Sequence, residues 1–387
     1  MTAPVGDRTQ RDLATVDEIC RRVVERSGET AWLVAEEVRH LAPLHTRDEQ
    51  RLLVDDALAR LTGLGELDVY MRDPDVDEVM VNAGRVIWID RKGTLECVGE
   101  LATGRVDQLI ERVLAPLGRR VDRSSPIVDA RLADGSRVCA VLPPVAVDGA
   151  TLSIRRFTHE PLPLASFTDE AGSTLVHRII EARCNVLVAG ATSSGKTSLV
   201  AGLVQKVSRR ERVLVVEDTA ELPVDHPHAV RLEARPPTVD GPDAIEVADL
   251  VRTALRLRPD RIVIGEVRGD ETLGLVQAMN TGHDGSISTC HANGPLDALL
   301  RLESLVLQAA PTWPLSAIRH QLTRSIDIVI HVERSPGSTN RRIVSVSEVT
   351  TPQSSAAHVE LPVPRLLGRR TPDGPFEILG DLRRGRR

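Results

Sequence analysis

The chain has 387 residues, 41% hydrophobic and 27% charged, which suits a globular protein of two or three domains at roughly 150 residues each. A net charge of −6 and an aromatic content of 2% give neither the basic surface nor the stacking rings of a general nucleic-acid binder. Its sequence has no apolar run of about 18 residues to cross a bilayer, and charges interrupt the first residues where a signal peptide needs an apolar core. The expectation is therefore a cytoplasmic protein without direct membrane insertion.

Cys20, Cys97, Cys139, Cys184 and Cys290 are scattered with no CxxC pair, which argues against a zinc ribbon or a disulfide framework. Of 49 basic residues only three are lysines: Lys92, Lys196 and Lys206. In a chain that uses arginine almost everywhere, a retained lysine marks a place where a planar guanidinium does not fit.

Residues 1–67 read as a helical extension, because apolar residues recur at three and four through VDEICRRVVERSG and DEQRLLVDDALARLTGLG. Residues 68–157 read as a smaller mixed α/β domain, with strand compositions in EVMVN, RVIWIDRKG and SRVCAVLPPV broken by turn residues. Residues 158–167, rich in proline, read as an interdomain linker. From 168 to 350 short apolar strands (NVLVAG, RVLVVE, RIVIGE, SISTC) alternate with helical segments, the pattern of a parallel central sheet covered on both faces. Residues 351–387 are rich in Pro, Ser and Arg and read as a poorly ordered basic tail.

Within the third segment, GATSSGKTS fits G-x-x-x-x-G-K-[ST] and lies between an apolar strand and a helix. Gly190, Ala191, Thr192, Ser193, Ser194, Gly195, Lys196, Thr197 and Ser198 would wrap a phosphate chain. Their backbone N–H groups and the helix N-terminus supply donors. Lys196 would reach the β- and γ-phosphates of ATP, and Thr197 would face Mg²⁺. Next, VLVVEDTAEL ends a strand in Glu217. A carboxylate at that strand end faces the γ-phosphate and can orient or deprotonate water. Asp218 suits an N-cap better, and Glu221 rivals Glu217 as the base. The strand RIVIGE then ends in Glu266, where a carboxylate would hold Mg²⁺ through water.

Together with DPDVDEVMVN, SSPIVDARLADGSRVCAVLPP, LSIRRF, RLEARP, LRLRPDRIVIGEVRG and AMNTGHDGSISTCHAN, these stretches resemble the secretion ATPase superfamily of type II secretion, type IV pili and type IV secretion. In detail they resemble the Tad/Flp pilus assembly ATPase (CpaF-like). The resemblance implies a RecA-like P-loop domain, and it makes TGHDGSISTCHAN a histidine box, with His283 and His291 sensing nucleotide state. A metal reading of that stretch is disfavoured because a strand separates the two histidines, unlike a compact pair on one helix face. The resemblance further implies a homo-hexameric ring and arginines that complete the site. The candidates are Arg131, Arg137, Arg155, Arg156 and Arg235, since guanidinium neutralises phosphoryl charge. An inner-membrane platform protein would receive the work. The alternatives are a conjugation or type IV secretion ATPase, a DNA-handling motor, and a nucleotide-binding scaffold.

Overall fold

The first elements are three helices, Gln10–Val24 (α1), Thr30–Leu41 (α2) and Arg47–Thr62 (α3). Val16, Ile19 and Val23 line one face of α1 and are buried against Leu33, Val34 and Val38 of α2 and Leu53 and Ala57 of α3. Thr46 starts α3 with a capping box: its hydroxyl accepts from Glu49 N (3.3 Å), and the Glu49 carboxylate accepts from Thr46 N (2.7 Å). The computed structural model describes residues 10–24, 26, 30–132, 134–157, 162–235, 244–335, 340–350, 362–371 and 374–384.

A short helix, Asp68–Arg72 (α4), leads into six strands: Val76–Asn82 (β1), Val86–Arg91 (β2), Thr94–Glu100 (β3), Ile127–Arg131 (β4), Arg137–Val141 (β5) and Thr151–Arg155 (β6). They pair antiparallel in the order β3-β2-β1-β6-β5-β4. The helix Arg105–Leu114 (α5) packs Val106, Leu109, Ile110 and Val113 into the core they share with Val79, Val81, Leu152 and Ile154. The break expected at residue 67 does not divide compact units. Leu67 is fully buried in this same core, and Arg60 of α3 and Arg105 of α5 both reach Asp17 of α1. The chain instead divides between Phe157 and Thr158.

The second unit is built on a nine-stranded sheet. Its strands are Val186–Gly190 (β7), Val213–Glu217 (β8), Ala229–Glu233 (β9), Arg261–Ile264 (β10), Ile287–His291 (β11), Ile328–Arg334 (β12), Arg341–Thr350 (β13), Val363–Arg370 (β14) and Phe376–Ile378 (β15), in the order β15-β14-β13-β12-β7-β11-β10-β8-β9. Strands β12 to β9 in that order run parallel. Val186 and Val188 face one core with the helices Glu170–Glu181 (α6) and Lys196–Val204 (α7). Leu187 and Ala189 face the other, with Val247–Ala254 (α8), Glu271–Asn280 (α9), Pro295–Ala309 (α10) and Leu315–Ser325 (α11). This is the expected α/β fold: a strand buried on both faces has no polar side to show.

Two expectations need correcting. The supposed linker contributes Leu164 and Phe167 to the second unit's core, and Phe167 O accepts from Ile343 N (2.8 Å); residues 158–161 lie outside the described residues. The supposed tail carries β14 and β15, although 351–361 also lie outside the described residues. Phe376 is 3% exposed, and its N–H donates to Asp169 Oδ2 (2.6 Å), the N-cap of α6. Glu348, 1% exposed, accepts from Arg383 N (2.8 Å), Arg384 N (2.6 Å) and the Arg365 guanidinium. An apolar anchor and a satisfied buried carboxylate outweigh the polar composition of this stretch.

Candidate functional site

Parallel strands converge their carboxyl ends on one edge of the sheet, and four of them bring chemistry there. β7 runs into the loop 190–195, and α7 opens at Lys196. Only glycine fits at Gly190, where a Cβ would collide with the Ser194 hydroxyl and come 2.5 Å from Val332 O. Gly195 has φ +96°, and a Cβ there would collide with Arg341 Cδ. Lys196 is 7% exposed and bends back over the loop, with Nζ 3.0 Å from Gly190 O and 2.9 Å from Ala191 O. Burial pulls its pKa down, and Glu266 opposes that shift. The first-turn N–H groups of α7 have no intrahelical acceptor, and the Ser194 hydroxyl is buried without a partner.

Glu217 closes β8, two strands beyond β11. It is 4% exposed, and its Oε1 accepts from Glu221 N (3.0 Å) and Leu222 N (2.8 Å). Its Oε2 lies 3.8 Å from Arg231 Nη2. Burial pushes the carboxyl up from 4.5 to about 7; the two N–H donors and Arg231 resist but do not overcome it. Gly265 makes room for this side chain, since a Cβ there would stand 2.9 Å from Glu217 Cγ. Glu221, the rival base, contributes its backbone N–H to Glu217.

Glu266 follows β10 by two residues and pairs with Arg268 Nη2 at 2.6 Å. Its Oε1 is buried without a hydrogen-bond donor, although His291 Nε2 stands 3.1 Å away. His291 ends β11 in register with Gly190, and the same Nε2 is 3.4 Å from Lys196 Nζ. Burial first, and then the Lys196 charge, hold the imidazole pKa below its usual value, so it is neutral at pH 7. Lys196, His291 and Glu266 thus form one continuous contact from the P-loop to the end of β10.

His283 does not join them: the strand expected between the two histidines is present, and of the two proposed sensors only His291 reaches the P-loop. It lies at the other end of β11, with Nδ1 3.2 Å from Ala278 O and its carbonyl taken by the Ser286 hydroxyl (2.7 Å). Asn185, just before β7, holds that turn through Gly285 N (2.9 Å) and Ser286 N (3.1 Å). A five-residue strand at ~3.3 Å per residue separates the two edges by roughly 16 Å. Cys290 is buried, and burial pushes its thiol up to about 12.

The proposed arginines fall into three environments. Arg131, Arg137 and Arg155 are direct cross-strand partners on β4, β5 and β6, so three like charges share one row. The row continues to Glu78 of β1, directly opposite Arg155, and the Glu78 carboxylate offsets part of that charge. Arg131 also sits over the Phe157 ring at 5.7 Å. Arg156 is no free finger: its Nη1 donates to Asp73 O and Val76 O (3.1 Å), tying it to its own unit. Arg235 pairs through its backbone with Ile245 (2.9 Å each way), and the segment between, 236–243, lies outside the described residues. Reading the sequence missed Arg231. The pairing of Val215 with Arg231 across β8 and β9 sets Arg231 diagonally from Glu217, and its guanidinium comes within 3.8 Å of that carboxylate.

The comparisons with known proteins bear on the family and the fold. Residues 60–361 match the family described as Type II/IV secretion system protein. The chain belongs to that family. It is 39% identical over 303 residues to a putative conjugal transfer protein of Mycobacterium tuberculosis, covering 74% of this chain and 84% of the relative. It is 32% identical over 294 residues to a probable conjugal transfer protein, TrbB, of Sinorhizobium fredii, covering 73% and 86%. The X-ray structure of the Legionella pneumophila ATPase DotB is similar in fold, with a TM-score of 0.51 at 22% identity over 70% of this chain and 75% of that one. Among the described residues, no helix of this secretion-family chain is long and apolar enough to cross a membrane.

Proposed function

We propose that the chain is an ATP-hydrolysing motor that works as a homo-hexameric ring and powers Tad/Flp-type pilus assembly through an inner-membrane platform protein. One observation carries the catalytic part: a buried carboxyl near pH 7, Glu217, shares a sheet edge with the P-loop, Glu266 and His291. The loop N–H groups and Lys196 bind the phosphates. Two backbone donors hold Oε1 of Glu217, which leaves Oε2 to take the proton of the attacking water. A carboxyl of pKa about 7 is poised for that transfer at neutral pH. Arg231 stabilises the carboxylate, and neutral His291 connects Lys196 with Glu266. Arg131, Arg137 and Arg155 are assigned to neutralising charge on a phosphoryl group.

The residues fit a magnesium ion. Glu266 Oε1 is a buried hard donor without a hydrogen-bond partner, and the Thr197 hydroxyl opens the first turn of α7. Bound there, the ion would supply Lewis-acid stabilisation of the phosphate oxygens. Purified wild type should show Mg²⁺-dependent ATP turnover from a hexamer-sized particle, read by light scattering on the same samples. Glu217→Gln should abolish turnover. A monomer or dimer that binds ATP without hydrolysing it would overturn the motor and favour a scaffold.

A second reading is supported by the conjugal-transfer names of the two relatives: the ATPase of a conjugation or type IV secretion channel. A strain lacking the chain separates the readings. Loss of surface pili with intact DNA transfer favours pilus assembly; the reverse favours the channel.

A further inference from the structure

The P-loop is touched by a residue far away in sequence that neither its motif nor the roles above include. Arg341 opens β13, an antiparallel neighbour of β12, and so stands two strands from β7. Ile343, two residues on and on the same face, packs in the core with Leu199 and Val200 of α7. That alternation aims Arg341 at the start of the same helix. Its aliphatic stem lies so close to Gly195 that no Cβ would fit between them. Its Nη1 donates to Ser198 Oγ at 3.0 Å.

Lys196 is the first residue of α7 and Ser198 the third. At about 100° per residue their side chains leave the helix roughly 200° apart. A phosphate chain seated on this N-terminus with its terminal phosphate at Lys196 therefore directs its other end toward Ser198. We infer that Arg341 is a nucleotide-binding residue that brings its guanidinium to the α-phosphate end of the nucleotide, opposite Lys196. The forked guanidinium suits a hydroxyl and a phosphate oxygen at once. Two cations then bracket the phosphate chain, one local to the motif and one delivered by the antiparallel extension of the sheet. This inference rests on the phosphate-site reading of residues 190–198.

The test uses the full chain and ADP with Mg²⁺, titrated calorimetrically. Arg341→Met keeps a stem over Gly195 and removes the cation; Arg341→Lys keeps a cation. The Met variant should bind ADP about tenfold or more weakly, and the Lys variant should recover part of the loss. The KM for ATP should rise by a larger factor than kcat falls. ADP affinity of Arg341→Met within about twofold of wild type would overturn the inference and leave Arg341 a packing residue. So would equal losses in both variants accompanied by lower melting temperatures without nucleotide. Wild type that binds no ADP at all would instead sink the phosphate-site reading itself.

Discussion

Glu217 gives the sharpest test because one substitution addresses both stability and turnover. Its carboxyl titrates at about 7 in the folded protein against an ordinary value of 4.5. The folded-state value is raised, so the penalty is absent below pH 4.5, grows as pH rises toward 7, and is complete above it. At 1.36 kcal/mol per unit, the raised value amounts to about 3 kcal/mol at pH 8 as an upper bound. Glutamine keeps the Oε1 acceptor for Glu221 N and Leu222 N and carries no charge to desolvate. Glu217→Gln should therefore melt higher than wild type at pH 8, by roughly 6–12 °C for a unit of this size. The gap should close as pH falls toward 4.5. Differential scanning calorimetry without nucleotide across pH 4.5–8 reads it, and turnover at pH 8 should fall about 100-fold or more in the same preparation. A melting difference independent of pH, or a less stable variant at pH 8, would refute the account of a desolvated carboxyl.

The other outcomes are as direct. Gly265→Ala should displace the Glu217 side chain, whose Cγ would lie 2.9 Å from the new methyl, and lower kcat while sparing ADP affinity; unchanged kcat would show that the pocket tolerates the methyl. His291→Ala should lower turnover, whereas His283→Ala should leave it within about twofold because it sits at the other sheet edge; the opposite ranking would make His283 the sensor and refute the role given to His291. Lys196→Ala should abolish detectable ATP binding or turnover in a filter assay. Phe376→Ala should destabilise the second unit by about 3–5 kcal/mol in a urea titration, and a loss below about 1 kcal/mol would mean that β15 does not anchor the sheet.

The P-loop was readable because its function is local. Nine consecutive residues contain the turn, the lysine and the helix start, and a flanking apolar strand gives the context. The apolar strands were readable for a similar reason: burial on both faces leaves a continuous apolar run. The tail was misread because its composition is polar while its anchoring is tertiary, through Phe376 on Asp169 and three groups on Glu348.

The histidine box shows where local pattern ends. The strand between His283 and His291 is legible in the sequence, but that His291 stands beside the P-loop depends on β11 pairing with β7, which sets His291 against Gly190 and leaves His283 at the far edge of the sheet. Glu217 could be named from its place at a strand end, but its titration near pH 7 comes from burial, which no single stretch encodes. Arg231 and Arg341 reach the site only because β9 lies beside β8 and β13 extends the sheet past β12. Motif chemistry is written in neighbouring residues, whereas strand order chooses which distant charges stand beside it and how much water they keep.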